Sequence, residues 1–368
     1  MAETEATGSG PDAAWIAARG AAFREALGRF DPAWPVLVLG HHDADGLSSS
    51  AILARALAQA GRRAEVRVLG RGENAWSEEM AAELRERAMG GLIVADLGTR
   101  AEPPLPGMPT ILIDHHVPTG VPAEATLIGG HGLQPTPTTS LLAWWCGSAI
   151  GEAESLLWLA ALGIIGDMEE GAGFAEMVAA RARWGITALR NAASLVNAPR
   201  RASAGDAGPA LALLMKADGP KAVLSGEHSE TAVLRAAKEE VQQALAEGRR
   251  AAPRIRGEVA VIPLHSACQI HPLIAQQWKG RLRDKVVIAA NTGYRPGWVH
   301  FAARAGTGTD LIRFFAEHRP EGADPVHYGN GHPQASGGAL PPEAWDRFLA
   351  GLGFGAEAGL AAPAGGAD

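Results

Sequence analysis

The sequence is poor in cysteine, lysine and tyrosine. Only Cys146 and Cys268 occur in 368 residues. That is too few for a disulfide framework, so a reducing compartment fits. There are five lysines against 28 arginines, which reads as GC-rich coding bias rather than functional choice. Positive charge is not in excess either. A net charge of −7 and a pI near 6.0 exclude a protein that coats nucleic acid over its whole surface, but leave room for a local basic groove. Long apolar runs are absent. The most apolar stretch, Leu156 to Ile165, falls far short of the roughly 20 residues a membrane span needs and is closed by Asp167. The opening MAETEATGSGPD has neither the basic nor the apolar region of a secretory signal. A cytoplasmic location without a membrane partner is therefore expected. The 46 Gly and 24 Pro follow no period, which excludes collagen and announces many turns.

What is present is a balance of 47% apolar and 20% charged residues, that of a globular protein. The length suggests two domains. Residues 1–12 read as a disordered terminus and 355–368 as a flexible Ala/Gly-rich tail. Between Trp15 and Phe30 the apolar positions recur at helical spacing. Short apolar runs of strand length follow at 35–40, 65–69, 91–95 and 110–113, separated by helix-like segments at 48–59 and 77–88. This alternation predicts an α/β domain over 13–196, a parallel sheet flanked by helices. Residues 138–165 and 173–195 read as helices beyond that sheet. The stretch 197–255 reads as a linker containing one amphipathic bridging helix at 229–248. A smaller α/β domain is expected over 256–354, with strands at 258–262, 285–289 and 297–302.

The chemistry-bearing residues sit where predicted elements end. His41-His42-Asp43-Ala44-Asp45-Gly46 follows the first strand, Asp96 the third and Asp114-His115-His116 the fourth, while Asp167 closes an apolar run. The carboxyl ends of parallel strands share one edge, where ligands bind. Carboxylates gathered there would repel, and either one must protonate or a cation must neutralise them. Oxygen and imidazole donors without thiolate favour Mn²⁺ or Mg²⁺, and imidazole tilts the choice to Mn²⁺. The donors exceed what one ion needs. Two ions about 3.5–4 Å apart would use them all and would suit in-line phosphoryl displacement.

These motifs resemble the DHH phosphoesterase superfamily. Its His-x-Asp-x-Asp-Gly motif is matched at His41, Asp43, Asp45 and Gly46. Its single Asp is matched at Asp96, its triplet at Asp114-His115-His116, and its Gly-Asp at Gly166-Asp167. The segment Gly329-Asn-Gly-His-Pro-Gln-Ala-Ser-Gly-Gly338 is similar to the GGGHxxAAG signature of the DHH-associated second domain. Asn330 and Ser336 depart from that signature. The resemblance implies that His41 and Asp43 hold one metal, that Asp45, His115 and Asp167 hold a second, and that Asp96 bridges them. It implies that His116 faces the scissile phosphate. It gives Arg304, Gly331, His332 and Gly337 the task of binding substrate.

Other candidates read as structure. His42 points away from its neighbours in an extended segment. Trp144 and Trp145 lie on an apolar helix. Cys268-Gln-Ile-His271 has ligand spacing but no second pair. Glu169-Glu170 reads as a solvated helix start.

Three functions follow as expectations. The first is a two-metal exonuclease, RecJ-like or nanoRNase-like, releasing mononucleotides from an end of single-stranded or short nucleic acid. The absence of a further domain after residue 355 points to short substrates. The second is a phosphatase or phosphodiesterase of a nucleotide-like small molecule, such as 3′-phosphoadenosine-5′-phosphate, a cyclic dinucleotide or polyphosphate. The third is a scaffold that has lost catalysis, disfavoured because every ligand position is kept. A homodimer is compatible with all three.

Overall fold

The computed structural model describes residues 11–306, 308–324 and 327–355. Most of the two expected disordered segments, 1–12 and 355–368, lies outside the described residues. The chain divides into two compact units. The first runs to Arg200 and resumes over Gly205–Arg235; the second holds Arg201–Ala204 and the chain from Ala236.

The first unit opens with α1 (Ala13–Leu27), whose N-terminus is capped by Asp12 accepting from Trp15 N at 2.7 Å. Then follow β1 (Val36–Gly40), α2 (Ala44–Gln59), β2 (Ala64–Val68), α3 (Glu78–Arg85), β3 (Gly91–Ala95), β4 (Thr110–Asp114) and β5 (Thr126–Gly129). The five strands are all parallel, in the order β2-β1-β3-β4-β5. Seven helices follow: α4 (Thr139–Ile150), α5 (Leu157–Gly166), α6 (Ala175–Trp184), α7 (Ile186–Val196), α8 (Gly208–Lys216), α9 (Pro220–Ser225) and α10 (Ser229–Gly248). The last begins in the first unit and ends in the second.

Strand periodicity explains the layering. Val36, Val38, Ile93, Ile111 and Ile113 enter a core shared with α1, α2, α4 and α5. Their alternates Leu37, Leu39, Leu92, Val94 and Leu112 enter another with Met80 and Leu84 of α3. Strands buried on both faces are apolar at every position, which is why they are conspicuous in the sequence.

Two expected long helices are each broken. The stretch 138–165 splits into α4 and α5, with extended Gly151 capping α4. The stretch 173–195 splits at Gly185, where φ is +80°, a conformation suited to glycine. Strand β5 has no counterpart in the sequence reading.

The second unit contains β6 (Arg254–Arg256), β7 (Val259–Leu264), α11 (His271–Arg281), β8 (Val286–Arg295), β9 (Trp298–Ala305), α12 (Leu311–Glu317), β10 (Tyr328–His332), β11 (Ala335–Leu340) and α13 (Pro342–Gly351). Its six-stranded sheet has the order β10-β11-β9-β8-β7-β6, and only the β7–β8 pair is parallel. An aromatic cluster of Phe301, Phe315, Tyr328, Trp345 and Phe348 fills one side. The Gly-rich signature forms an antiparallel hairpin, in which Gly331 pairs with Ser336 and His332 with Ala335. No helix among the described residues is long and apolar enough to cross a membrane.

Candidate metal centre

Strand register sets the site. Gly40 pairs with Ala95, and Ala95 with Ile113, so His41, Asp96 and Asp114 are the next residues along one sheet edge. Asp43 then caps α2, accepting from Gly46 N at 3.0 Å. Asp45 lies in the first turn of α2 with no exposed surface. Its two oxygens accept from Thr139 N at 2.8 Å and Ser140 N at 2.9 Å, at the start of α4. The helix dipole there suits the carboxylate. This seat tolerates no extra atoms. A Cβ on Gly163 would overlap Asp45 Oδ1 and Ser140 Oγ, and one on Gly46 would overlap His41.

Asp96 follows β3 with φ at +65°, a left-handed backbone that a non-glycine residue adopts at some cost. Oδ2 lies 3.5 Å from His41 Nδ1, and Oδ1 lies 3.5 Å from His115 Nε2. His41 Nδ1 is also 3.1 Å from Asp43 Oδ2, and His115 Nε2 is 3.5 Å from Asp167 Oδ2. Two groups result. Candidate ligand atoms of His41, Asp43 and Asp96 lie within 4.8 Å of one another, and so do those of Asp45, His115 and Asp167. Asp96 also forms such a group with His115 and His116. Asp167 comes from the C-terminal cap of helix α5 rather than from a strand.

Protonation shows the strain in this gathering. Burial first, and then the charges of Asp45 and Asp43, push Asp96 up to about 8. Burial and the charges of Asp45, Asp96 and Asp43 push Asp167 up to about 10. Asp45 is also raised, chiefly by burial. Asp43 goes the other way: against burial, the charges of His41 and Arg200 hold it well below the usual carboxylate range. Burial would lower His41, but Asp43 and Asp96 raise it to about 10. Burial lowers His115. Burial, helped by the charges of His41 and Arg200, lowers His42 to about 3. Four carboxylates and two imidazoles thus sit where some must keep protons. Divalent cations that prefer oxygen and nitrogen donors would relieve this, so the residues present fit such ions.

His116 differs from His115. Its Nδ1 lies 2.9 Å from Asp114 Oδ1, which also accepts from His116 N at 2.8 Å. Asp114 Oδ2 accepts from Gly98 N at 2.7 Å. Burial opposes protonation of His116, but Asp114 raises it to about 9.

The other expected site residues lie in the second unit. Arg304 is on β9, with Nε 3.1 Å from Gln276 Oε1. Gly331 and His332 end β10, and Gly337 is on β11 beside Phe301 O. Glu170 is engaged by Arg190 at 2.6 Å. Sequence reasoning assigned no role to Asp114, Thr139, Ser140 or Arg200. Arg200 Nη1 lies 3.4 Å from Asp43 Oδ2, and Thr139 Oγ1 donates to Asp96. The hydroxyl run Thr138-Thr139-Ser140 before a helix is a capping signal, the one trace of this in the sequence.

No protein-family model matches the chain, and no curated protein matches it. Solved structures do. A crystal structure of exonuclease RecJ bound to manganese is 21% identical with a TM-score of 0.67, over 91% of this chain and 93% of that one. The DHH domain of a member of a ribosomal protein family is 15% identical with a TM-score of 0.65, over 94% and 93%. This chain has the DHH fold. RecJ from Thermus thermophilus in complex with Mg²⁺ is 20% identical with a TM-score of 0.62, over 92% of this chain. The chain spans about half of that Thermus protein, 51%. Both units of the DHH-fold chain are covered by these matches.

Proposed function

We propose that the chain is a two-metal phosphoesterase that hydrolyses phosphodiester bonds from an end of single-stranded or short nucleic acid, releasing mononucleotides. The observation that carries this reading is Asp96, whose two oxygens face two separate His/Asp groups. His41 and Asp43 would hold one ion, Asp45, His115 and Asp167 the other, and Asp96 would be shared. Two such ions, Mn²⁺ or Mg²⁺, supply activation of water and neutralisation of phosphoryl charge.

The chain's own residues do the rest. Asp114 accepts from His116 Nδ1 and keeps the ring protonated and oriented. His116 can then donate to a phosphoryl oxygen as charge grows there. Asp45 is fixed by two backbone donors, so its carboxylate does not reorganise. Arg304, Gly331, His332 and Gly337 would bind substrate.

End-labelled RNA and DNA of graded lengths, incubated with the protein and Mn²⁺ beside 3′-phosphoadenosine-5′-phosphate, test the reading. Mononucleotides should accumulate from one end of the polymers. Turnover of the small molecule alone would replace the exonuclease with the nucleotide phosphatase that the net charge of −7 suits. No hydrolysis under any divalent ion would leave a scaffold.

A further inference from the structure

Helices α2, α5 and α13 end in the same way. After α2, Gly61 N donates to Ala58 O at 3.1 Å and Arg62 N to Leu57 O at 2.8 Å. After α13, Gly353 N donates to Ala350 O at 2.9 Å and Phe354 N to Leu349 O at 3.0 Å. After α5, Met168 N donates to Ile165 O at 3.1 Å and Glu169 N to Ile164 O at 2.9 Å. This paired closure needs a left-handed residue just past the helix, a place that usually falls to glycine. There φ is +74° at Gly61, +80° at Gly353 and +65° at Met168. A Cβ is crowded in that conformation, so methionine adopts it at a cost that glycine escapes.

Packing does not offset that cost. Met168 is 85% exposed, the most exposed methionine among the described residues, whereas Met80, Met89 and Met177 are buried. The chain has 46 glycines and uses one at each of the other two ends, so nothing in the fold explains a methionine at this one. What sets this end apart is its neighbour. The residue before Met168 is Asp167, whose Oδ2 lies 3.5 Å from His115 Nε2. The side chain therefore stands in solvent beside the carboxylate centre. Residues held in a left-handed backbone cluster at functional sites.

The side chain's chemistry selects its ligand. An unbranched thioether is apolar, polarizable and adaptable, and its sulfur makes favourable contacts with flat aromatic rings. It offers no hydrogen to a phosphoryl oxygen. We infer that Met168 is a substrate contact, which packs against a nucleobase next to the phosphoryl group being cleaved. The inference rests on the phosphoesterase reading and narrows it. The substrate carries a base beside the reacting phosphorus, as an oligonucleotide or a nucleotide does and inorganic polyphosphate does not. Met168 holds substrate and takes no part in bond breaking.

The test compares a 5′-phosphorylated adenine dinucleotide with the same sugar–phosphate backbone lacking both bases. With Mn²⁺ present, Met168→Gly should raise KM for the dinucleotide about 3- to 10-fold, the weight of one sulfur–ring contact. It should leave kcat, and both constants for the baseless backbone, within about twofold. Met168→Asn, which also accepts a left-handed backbone, should match the glycine variant, while Met168→Leu should stay near the wild type. The melting temperature of Met168→Gly should rise by about 2–4 °C as the backbone is relieved. Equal effects on both substrates, none on either, or a lower melting temperature overturn the contact. Peroxide oxidation followed by mass spectrometry, with Mg²⁺ and a saturating adenine dinucleotide of non-hydrolysable linkage, gives a reading without turnover. The dinucleotide should slow oxidation of Met168 several-fold and leave that of the exposed Met215 unchanged. If the wild type cleaves neither substrate, the phosphoesterase reading falls and this protection alone decides: Met168 oxidised as fast with the dinucleotide as without it overturns the contact.

Discussion

Thr139 Oγ1 donates a 3.0 Å hydrogen bond to Asp96 Oδ1, while the same residue's backbone N–H is held by Asp45 Oδ2 at 2.8 Å. One residue at the start of α4 therefore touches a carboxylate from each of the two ligand groups. It fixes their separation.

Replacing Thr139 by valine keeps its backbone contact and its shape, and deletes only the hydroxyl bond. Partners of this kind are worth about 10- to 100-fold in metal affinity or activity. Thr139→Val should shift the Mn²⁺ dependence of hydrolysis to higher concentration by that order. A Mn²⁺ titration identical to that of the wild type would show that Asp96 needs no such support.

Asp96→Asn tests the shared position. Asparagine accepts a left-handed backbone, so φ at +65° need not change. The variant should stay folded, bind fewer Mn²⁺ per chain by elemental analysis, and lose activity by more than about 100-fold. Two tightly bound ions together with near-wild-type turnover would remove Asp96 from the centre.

Acidity and metal binding are linked with a definite sign. Asp96 and Asp167, raised to about 8 and about 10, favour the folded state fully only below the ordinary carboxylate range. That stability is lost as pH rises through the raised values. His41, at about 10, runs in the same direction. Asp43, held low, runs oppositely, and its contribution is lost only in acid. The metal-free protein should therefore melt lower as pH rises from about 6 to about 9, and added Mn²⁺ should raise the melting temperature more at the upper end. Thermal scans with and without Mn²⁺ across that range measure it, and a stabilisation that shrinks with pH contradicts the assignment.

Gly163→Ala places a methyl against Asp45 Oδ1 and Ser140 Oγ in a fully buried seat. Overpacking of this kind costs about 1–3 kcal/mol. Urea unfolding should show that loss, and activity should fall with it because Asp45 must move. Unchanged stability would mean that the helices α4 and α5 part more easily than their packing suggests.

The strands that carry the site were legible because they are apolar at every position and end in charged residues: β1 before His41, β3 before Asp96, β4 in Asp114. Burial on both faces leaves no other pattern. β5 escaped notice because Thr126-Leu-Ile-Gly129 is short and only partly buried at the sheet edge. The helix breaks at Gly151 and Gly185 were missed because helix-forming sequence resumes soon after each glycine. Asp167 was found by its motif, and the helical reading of 138–165 places it directly after a helix, as α5 does. The hydroxyls that hold the carboxylates are the hardest to read. Thr139 and Ser140 are ordinary helix-start residues, and only the fold, across more than ninety residues, brings Asp45 to them.

The bare positions around Asp45 also give the chain a direction of drift. A descendant that no longer used ions could drop this carboxylate, and the space freed beside Gly163 would then be open to bulkier side chains. The return journey is blocked, because a filled pocket has to be emptied again before an acid can re-enter. Decay of the centre would work as a ratchet, and bulk beside Gly163 would date it.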